Sequence, residues 1–332
     1  MAKVEVGLVA LDVGARTHAF AVRMGDKEEN GDLDNTPEAV ARFLKARGKQ
    51  CQRLRVIVEA TGIYYLDLAL QVVEAGAEVM VINPKAGHHF AQAMNQRNKT
   101  DAIDARMLLA YLERMAFQSW QPPDAGVLAL RQFGRHLGRL SEHRTRMKNQ
   151  LHALVSTRTS PRVLREDLET AVADLDRRIA RLSEEALKRV QADARMSRQF
   201  EALDSIVGVG QSSALALLGE LLVLPADMNS RACVCHAGLD VRVHQSGTSV
   251  GLAPRLSKHG NKHLRRALYM PAMAAIAHDP HARAFRDRLV GRGKKKMQAL
   301  AAVMRKLLTA AWALVRNPAP YDGNKLFAAM EG

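Results

Sequence analysis

Two short apolar segments, each ending in an acidic residue, most constrain the fold of this chain. The first is Val6–Leu11, followed by Asp12, and the second is Leu54–Val58, followed by Glu59. Runs of this length and β-branched content are typical of strands that are buried on both faces of a sheet. A carboxylate at the end of a buried strand is costly unless something neutralises it. The two segments therefore predict an α/β domain that carries Asp12 and Glu59 at the ends of its strands.

Two further acids, Asp101 and Asp104, lie three residues apart at a predicted helix start, where positions i and i+3 share a face. Four carboxylates from two strand ends and one helix provide the oxygen ligands that Mg²⁺ prefers. A simpler interpretation exists for each acid, since Thr100 or Asp101 fits the helix N-cap and most charged side chains are solvated. The joint arrangement favours a Mg²⁺ site formed by Asp12, Glu59, Asp101 and Asp104.

The composition narrows the choice of partners. The 332 residues carry a formal net charge of +15, which indicates a polyanionic partner, most simply nucleic acid. The sequence has no run of about 20 uninterrupted apolar residues and no opening signal segment. Three cysteines are too few and too unevenly placed for a disulfide framework or a zinc site. We therefore expect a DNA-associated protein of a reducing cytoplasm, with no membrane partner.

Pro122-Pro123 separates two kinds of sequence pattern. Residues 1–120 alternate strand-like and helix-like segments, with Thr17–Met24 predicted to form a hairpin with the first strand, and they predict a mixed sheet. Over residues 124–198, apolar residues recur at steps of three and four in two stretches, which predicts a coiled-coil hairpin that mediates dimerisation or holds nucleic acid. The alternative is an ordinary pair of amphipathic helices, but the apolar stripes are narrow and the other faces are heavily charged.

A third, mainly helical region is predicted over residues 200–325. Leu203–Gly210, followed by the small-residue helix Ser212–Leu222, resembles the hairpin of a helix-hairpin-helix module, in which glycines let backbone amides approach a DNA phosphate. A Gly-x-Gly turn before a helix also occurs for packing alone.

Ser246 lies in a polar, glycine-flanked turn among basic residues. A hydroxyl in this setting can act as a nucleophile on a phosphate, although a serine beside glycine is usually a turn residue. His244 lies two positions away and shares its face on an extended segment, as a base, a phosphate contact or a solvated side chain. The basic residues predicted to contact the DNA backbone are Arg242, Arg255, Lys258, Lys262, Arg265, Arg266, Lys294 and Lys295.

These segments together resemble a known family. "LDVG" at Asp12, "VEATGIY" at Glu59 and "NKTDAIDARML" at Asp101 and Asp104 are similar to the DEDD transposases of the one-ten family of bacterial insertion sequences, which includes the Piv-type DNA invertases. "GLDVRVHQSG" and "SKHGNKHLRRAL" resemble the second module of that family, in which proline often replaces Val241.

The resemblance implies a transposase or site-specific recombinase with an RNase H/RuvC-like domain, a coiled-coil hairpin and a C-terminal transposase domain. It implies that the four acids bind Mg²⁺ and that Ser246 is the nucleophile, which forms a covalent phosphoserine link with DNA. Double-stranded donor and target DNA are the implied substrates, and some members are guided by a structured bridge RNA. The family also implies a homodimer or homotetramer in which one site draws on different subunits, in the bacterial cytoplasm.

Three other functions are compatible with parts of the sequence. A RuvC-type nuclease or junction resolvase would activate water with two metal ions and leave Ser246 uninvolved. An actin-like ATPase or sugar kinase also has Asp-x-Gly after its first strand, but its second Asp-x-Gly and its glycine-rich adenosine motif are missing here, and the charge would be unexplained. A non-catalytic nucleic-acid-binding protein would bind independently of Mg²⁺ and of the acids.

Overall fold

The computed structural model of the chain describes residues 3–62, 64–96, 100–246 and 250–327, and it describes only the backbone of residues 243–246 and 250–254. The chain divides into two compact units, Met1–Pro122 and Pro123–Gly332. The elements of the first unit are β1 (Val4–Asp12), β2 (Thr17–Met24), β3 (Lys27–Asp34), α1 (Pro37–Gly48), β4 (Cys51–Glu59), α2 (Tyr65–Glu74), β5 (Glu78–Ile82), α3 (Pro84–Ala93) and α4 (Asp101–Arg114).

The second unit is mainly helical. Its elements are α5 (Ala125–Val155), α6 (Arg162–Gln191), α7 (Ala194–Asp204), α8 (Gln211–Leu221), α9 (Ser230–Ala237), β6 (Val241–Ser246), β7 (Val250–Leu256), α10 (Lys262–His278), α11 (Pro280–Gly291), α12 (Lys296–Arg316) and α13 (Gly323–Phe327). An α/β unit with a mixed sheet, followed by a helical unit, confirms the fold class at this level.

The sheet of the first unit has the order β3-β2-β1-β4-β5, with β1 at its centre. β1 pairs antiparallel with β2 and parallel with β4, and β5 is parallel to β4. The predicted hairpin between the first strand and Thr17–Met24 is therefore confirmed. Because β1 and β4 are parallel neighbours, their carboxyl ends, and with them Asp12 and Glu59, lie at the same end of the sheet.

The two faces of the sheet bury different side chains, as the alternation of a strand requires. On one face, Val9 and Leu11 of β1 pack with residues of α1 and α2. On the other face, Ala10 packs against α4 together with Ala19 and Ala21 of β2. Three alanines on adjacent strands leave a shallow floor, so the backbone of α4 can lie close to the sheet.

In the second unit, α5 and α6 pair along their lengths as an antiparallel hairpin. The Arg189 guanidinium lies over the Phe133 ring near one end, and Arg144 Nη1 donates to Asp176 Oδ1 at 2.8 Å farther along. Arg144 is the position at which the apolar repeat of the first helix lapses, and this cross-hairpin ion pair explains the lapse. At the far end of the hairpin the apolar side chains become exposed, with Val155 and Val163 exposed by 57% and 67%.

The base of the α5–α6 hairpin shares one hydrophobic core with the helices that follow it in the chain. Leu130 of α5 and Val190 of α6 pack in the same cluster as Leu215 of α8 and Leu307 of α12. The separation of this unit into domains at 124–198 and 200–325 therefore remains a prediction. Among the described helices, only α12 is long and apolar enough to cross a membrane, and core helices meet the same criterion.

The turn between α7 and α8 contains the Gly-x-Gly segment that resembles a helix-hairpin-helix. Gly208 has a φ of 95°, and a Cβ added to it would lie 2.6 Å from Pro271 O and from Ala275 N in α10. Only glycine fits this close approach between backbones. The packing role of Gly208 is thus visible in the structure, and contact of this turn with DNA remains a prediction.

Candidate active site

Strand register places two of the predicted acids on the α4 face of the sheet. Asp12 pairs with Ala19 across β1 and β2, and Glu59 pairs with Ile82 across β4 and β5. Ala19 and Ile82 both pack in the core beneath α4. Since directly paired residues share a face, the Cβ atoms of Asp12 and Glu59 also point to the α4 side.

The first turn of α4 carries the other two acids. Thr100 is the N-cap, and its Oγ1 accepts a hydrogen bond from Ile103 N at 3.3 Å. Asp101 is exposed, whereas Asp104 is half-buried one turn before Leu108, which is part of the core below the helix. Carboxylates in a first turn interact favourably with the positive end of the helix dipole. The N-cap, the dipole and the buried stripe together hold both aspartates at the end of the sheet where Asp12 lies.

The pKa of Asp12 indicates that the four acids lie near one another. Partial burial raises the pKa of Asp12 to about 6, and the negative charges of Asp104, Asp101 and Glu59 contribute in that order. A hydrogen bond from the backbone of Val13 acts in the opposite direction. An aspartate whose ionisation is opposed by burial and by three nearby carboxylates lies where a cation would be stabilised.

Two neighbours that the sequence analysis did not identify lie beside the carboxylate of Glu59. Thr61 Oγ1 donates to Glu59 Oε1 at 2.6 Å. The other oxygen, Oε2, lies only 2.6 Å from where a Cβ would be at Gly87 of α3. Glu59 therefore occupies space that any other residue at position 87 would fill.

The donor set fits a hard divalent cation, because it consists of carboxylate oxygens with surplus negative charge. Among the residues that the structure describes, however, no three His, Cys, Asp or Glu side chains are close enough to hold one metal ion as they stand. Mutual repulsion of like charges disfavours closer approach of such carboxylates unless a cation lies between them.

The second predicted site lies on the β6–β7 hairpin of the other unit. Ser246 is the last residue of β6, where its backbone pairs with Val250, and His244 pairs with Leu252. An irregularity interrupts the register between Arg242 and His244. The side chains of His244 and Ser246 lie outside what the structure describes.

Two arginines face each other at the base of this hairpin. Arg242 and Arg255 are directly paired across β6 and β7, and both are exposed. Arg242 Nη1 also lies 2.7 Å from His259 Nε2, which must accept because a guanidinium has no acceptor. Like charges at directly paired positions are destabilising in a sheet. An anion bound between Arg242 and Arg255 would relieve that repulsion.

The loop that follows the hairpin is fixed to the end of α9. Ser257 Oγ donates to Asp240 Oδ1, and Ser257 N donates to Asp240 O at 2.9 Å. At Gly260, which has a φ of 114°, a Cβ would lie 2.1 Å from His236 O. The base of the hairpin is thereby held against the helical core.

A buried carboxylate, Glu220 of α8, connects this loop to α5. Its Oε2 accepts from Asn261 Nδ2 at 2.7 Å and from Arg135 Nη2 at 3.0 Å, and Arg131 Nε lies 3.4 Å away. Asn261 is in turn the N-cap of α10. Burial alone would raise the pKa of Glu220, but hydrogen bonds from Arg135 and Asn261 and the charges of Arg135 and Arg131 lower it below its usual value. Glu220 is thus ionised, and its contacts join α5, α8 and the N-terminus of α10.

Two of the predicted DNA-contacting arginines make internal contacts. Arg265 Nη1 donates to Ala237 O at 2.8 Å, and Arg266 donates to Gly138 O and pairs with Glu142. These contacts tie α10 to α9 and α5. The predicted lysines are all exposed, namely Lys258, Lys262, Lys294 and Lys295. Contact of any of these residues with nucleic acid remains a prediction.

The comparisons with known proteins match two separate segments of the chain. A family model described as a transposase of the DEDD type matches residues 9–158, and a second, described as the transposase IS116/IS110/IS902 family, matches residues 200–287. The pilin gene-inverting protein of Moraxella lacunata is 30% identical over 289 residues, which cover 84% of this chain and 85% of that protein. The chain belongs to the IS110 family of transposases. Members of this family are DNA recombination enzymes.

Two insertion-element proteins are similar to parts of this IS110-family transposase. The IS110 43.6 kDa protein of Streptomyces coelicolor is 33% identical over 124 residues, 36% of this chain and 29% of that protein. The IS900 42 kDa protein of Mycobacterium paratuberculosis is 31% identical over 175 residues, 52% of this chain and 40% of that protein. The four acids lie inside the first matched segment and Ser246 inside the second, whereas Lys294 and Lys295 lie beyond both.

Proposed function

We propose that this transposase cuts and rejoins double-stranded DNA through a covalent phosphoserine intermediate at Ser246. The observation that carries the proposal is the grouping of Asp12, Glu59, Asp101 and Asp104, whose charges converge on Asp12, in a chain whose second matched segment contains Ser246. The mixed sheet of the first unit is compatible with an RNase H/RuvC-like domain. The three-part division at 1–120, 124–198 and 200–325 belongs to the same proposal.

The four acids are proposed to hold a divalent cation, Mg²⁺ in the cell. Such an ion polarises a scissile phosphate and neutralises charge on the leaving oxygen. Thr61 orients one oxygen of Glu59, and Gly87 leaves room for the other. With its pKa near 6, Asp12 is ionised at neutral pH and available as a ligand.

The proposed reaction exchanges one phosphodiester for another. The Ser246 hydroxyl loses its proton to a base, and its oxygen forms a bond to phosphorus as the bond from phosphorus to a sugar oxygen breaks. The released strand leaves with a free hydroxyl, and a hydroxyl of the recipient strand later attacks the phosphoserine and restores Ser246. The energy of the phosphodiester is conserved in the protein–DNA link, so no nucleotide cofactor is needed. His244 is the proposed base or an additional phosphate contact.

In our proposal, the base of the β6–β7 hairpin supplies the cations for this chemistry. Arg242 and Arg255 would hold a phosphate of the DNA backbone between them, and the exposed lysines would extend the contact. Arg265 and Arg266 lie beside this loop, and their internal hydrogen bonds give them a positioning role as well. Fixed donors around a phosphate lower the energy of the transition state because they need no reorganisation during the reaction.

We further propose a homodimer or homotetramer with a composite site, guided by a structured bridge RNA, in the bacterial cytoplasm. The exposed apolar side chains at the far end of the α5–α6 hairpin support self-association, because Val155, Val163 and Leu164 would be covered by a second copy. The net charge of +15 supports the binding of RNA in addition to DNA.

The experiment that tests the proposal is an adduct assay. The purified protein, with any RNA that copurifies, is incubated with Mg²⁺ and end-labelled DNA and then denatured, and we expect labelled DNA that migrates with the protein. Ser246→Ala should remove the adduct, and so should chelation of Mg²⁺. Free DNA ends formed by both wild type and Ser246→Ala, with no adduct from either, would indicate the metal-dependent nuclease instead.

Replacing Gly87 by alanine should weaken divalent-metal binding with little effect on folding. The new Cβ would displace the flexible carboxylate of Glu59 rather than any backbone atom. Loss of the interactions that orient a metal ligand typically reduces metal affinity by about 10- to 100-fold. Binding of Mn²⁺ is measured by the electron paramagnetic resonance signal of the free ion.

Gly48→Ala is the matched control, because Gly48 also lies in a helix and its added Cβ would contact nothing within 4 Å. Both substitutions increase helix propensity. Equal Mn²⁺ affinity in the two variants would contradict a role for Glu59 in metal binding.

A further inference from the structure

A groove of about 1640 Å³ runs across the second unit, apart from the hairpin that carries Ser246. Its walls are formed mainly by α5, one face of α8 and the first half of α10, with single residues of α6 and α12. Ser212 and Ser213 contribute hydroxyl groups from α8, and all of the lining residues belong to this one unit.

The groove is strongly basic. Seven lysine or arginine side chains and only two glutamates line it, namely Arg135, Arg139, Arg144, Arg146, Lys262, Arg265, Arg266, Glu142 and Glu220. Both glutamates are already paired, Glu142 with Arg266 and Glu220 with Arg135. A concave surface with a surplus of one charge concentrates ligands of the opposite charge.

Four of these cations have no carboxylate partner among the described residues, and one of them, Arg265, instead donates to Ala237 O. The other three are Arg139, Arg146 and Lys262. Arg139 lies only near His136, at 3.5 Å, and within the described part of the chain no ion pair forms at Arg146 or Lys262. All three are exposed, and they come from both α5 and α10. They are therefore available to an anionic ligand that spans the groove.

An aromatic side chain lies in the same groove. Tyr269 is 41% exposed, and the neighbouring Met270 is 66% exposed. Lys262, Arg266 and Tyr269 are spaced by four and three residues, so they lie along one exposed face of α10. Exposed aromatic rings beside cations are the arrangement with which proteins bind single-stranded nucleic acid, because bases stack on the ring while cations contact the phosphates.

We propose that this groove binds an unpaired segment of nucleic acid. Phosphates contact Arg139, Arg146 and Lys262, and a base stacks on Tyr269. The bases of a duplex are stacked on each other and are not available to the tyrosine, so the groove prefers an unpaired strand. The inference rests on the proposed function in that the protein acts on nucleic acid and in that Lys262, Arg265 and Arg266 belong to both proposals, whereas neither Ser246 nor the four acids take part.

The test measures fluorescence anisotropy of labelled single-stranded RNA, single-stranded DNA and duplex DNA. All variants carry Ser246→Ala, so that no covalent chemistry contributes and failure of the recombinase proposal leaves this result interpretable. Tyr269→Ala should weaken single-strand binding by roughly 5- to 150-fold and change duplex binding little. Tyr269→Trp should restore it. The RNA and DNA arms distinguish the two sources of an unpaired strand.

The charge contribution is tested by a triple substitution to alanine of Arg139, Arg146 and Lys262. We expect the slope of log affinity against log salt to fall by about 2, because each phosphate that a protein neutralises on a single strand contributes about 0.7 to that slope. The matched control replaces Arg177, Arg178 and Arg181, which are exposed on α6 and do not line the groove.

Three results would overturn the proposal. One is single-strand affinity that Tyr269→Ala leaves unchanged, and another is an equal loss in the groove variant and the α6 control. The third is a change in the sedimentation of the protein alone on Tyr269→Ala, which would identify this face as a contact between protein copies.

Discussion

Replacing Asp12 by asparagine should abolish strand cleavage and at the same time stabilise the first unit. We expect activity to fall by at least about a thousandfold, because a bound metal ion contributes several kcal/mol of charge stabilisation to such a reaction. In metal-free buffer at pH 7, the free energy of unfolding should rise by about 1–2 kcal/mol, since the variant removes a carboxylate whose pKa is raised to about 6 by burial and by three neighbouring acids.

The effect of Asp12→Asn on the free energy of unfolding should depend on pH. The pKa of Asp12 rises from 3.8 in the unfolded chain to about 6 in the folded one, so the folded state holds the proton more tightly. Wild-type stability should therefore decline as pH rises from about 4 to about 6, and Asp12→Asn should not show this component. Below pH 4 the difference between the two proteins should vanish. Chemical denaturation at several pH values measures it.

The control for Asp12→Asn is Asp26→Asn, which is exposed in the turn between β2 and β3, at the opposite end of the sheet from Asp12. It makes the same chemical change without altering the acidic group. Saturating Mn²⁺ should also reverse the stability order, because only the wild type gains the full binding energy of the ion. A stability loss in Asp12→Asn at pH 7 without metal would show that the carboxylate is held by favourable contacts and not by repulsive ones.

Replacing Glu220 by glutamine should destabilise the second unit by about 3 kcal/mol. The substitution leaves Arg131 and Arg135 beside a neutral group in a largely buried position, and breaking a buried ion pair typically costs about 3–5 kcal/mol. We expect the lower end of that range because the two arginine side chains are 20% and 30% exposed. Denaturant unfolding followed by circular dichroism reports the change.

Glu142→Gln is the matched control for Glu220→Gln, since Glu142 also pairs with an arginine but is 47% exposed. An exposed pair contributes about 0–1 kcal/mol, so the control should remain close to wild type. The contribution of Glu220 is present above its unfolded pKa of 4.5 and is lost as pH falls through its lowered folded pKa. If both variants lose a similar amount of unfolding free energy, Glu220 does not have the proposed role of joining α5, α8 and α10.

Sequence patterns predicted the strands that carry the acids, because short β-branched runs with terminal acids are distinctive. The caps of α1 and α4 also have local signals in the sequence, since Thr36 precedes Pro37 and Thr100 precedes two acids. The edge strand β3 (Lys27–Asp34) was missed because its side chains are almost all exposed and polar, which leaves no apolar alternation. No helix is predicted at α3, because a proline after a strand is also a signal that the strand ends; here Pro84 begins the helix and Asn83 caps it.

The supporting contacts of the site depend on the folded chain and have weaker signals in the sequence. Nothing local connects Gly87 with Glu59, because β5 separates them in sequence. Glu220 left a clearer signal, since it is an acid within the apolar helix Gln211–Leu221, where its neighbours are fully buried. An acid in such a position predicts a buried partner. The presence of Arg131 and Arg135 opposite it follows only from the packing of α5 on α8.

Mass spectrometry of the protein–DNA adduct, after digestion with nuclease and trypsin, identifies the residue that carries the DNA. Cleavage at Arg242 and Arg255 releases residues 243–255, which contain Ser246 and two other hydroxyl residues, Thr248 and Ser249. We expect a nucleotide attached to this peptide, with fragmentation that places it on Ser246. A nucleotide on any other residue, or cleaved DNA with no modified peptide, would contradict it.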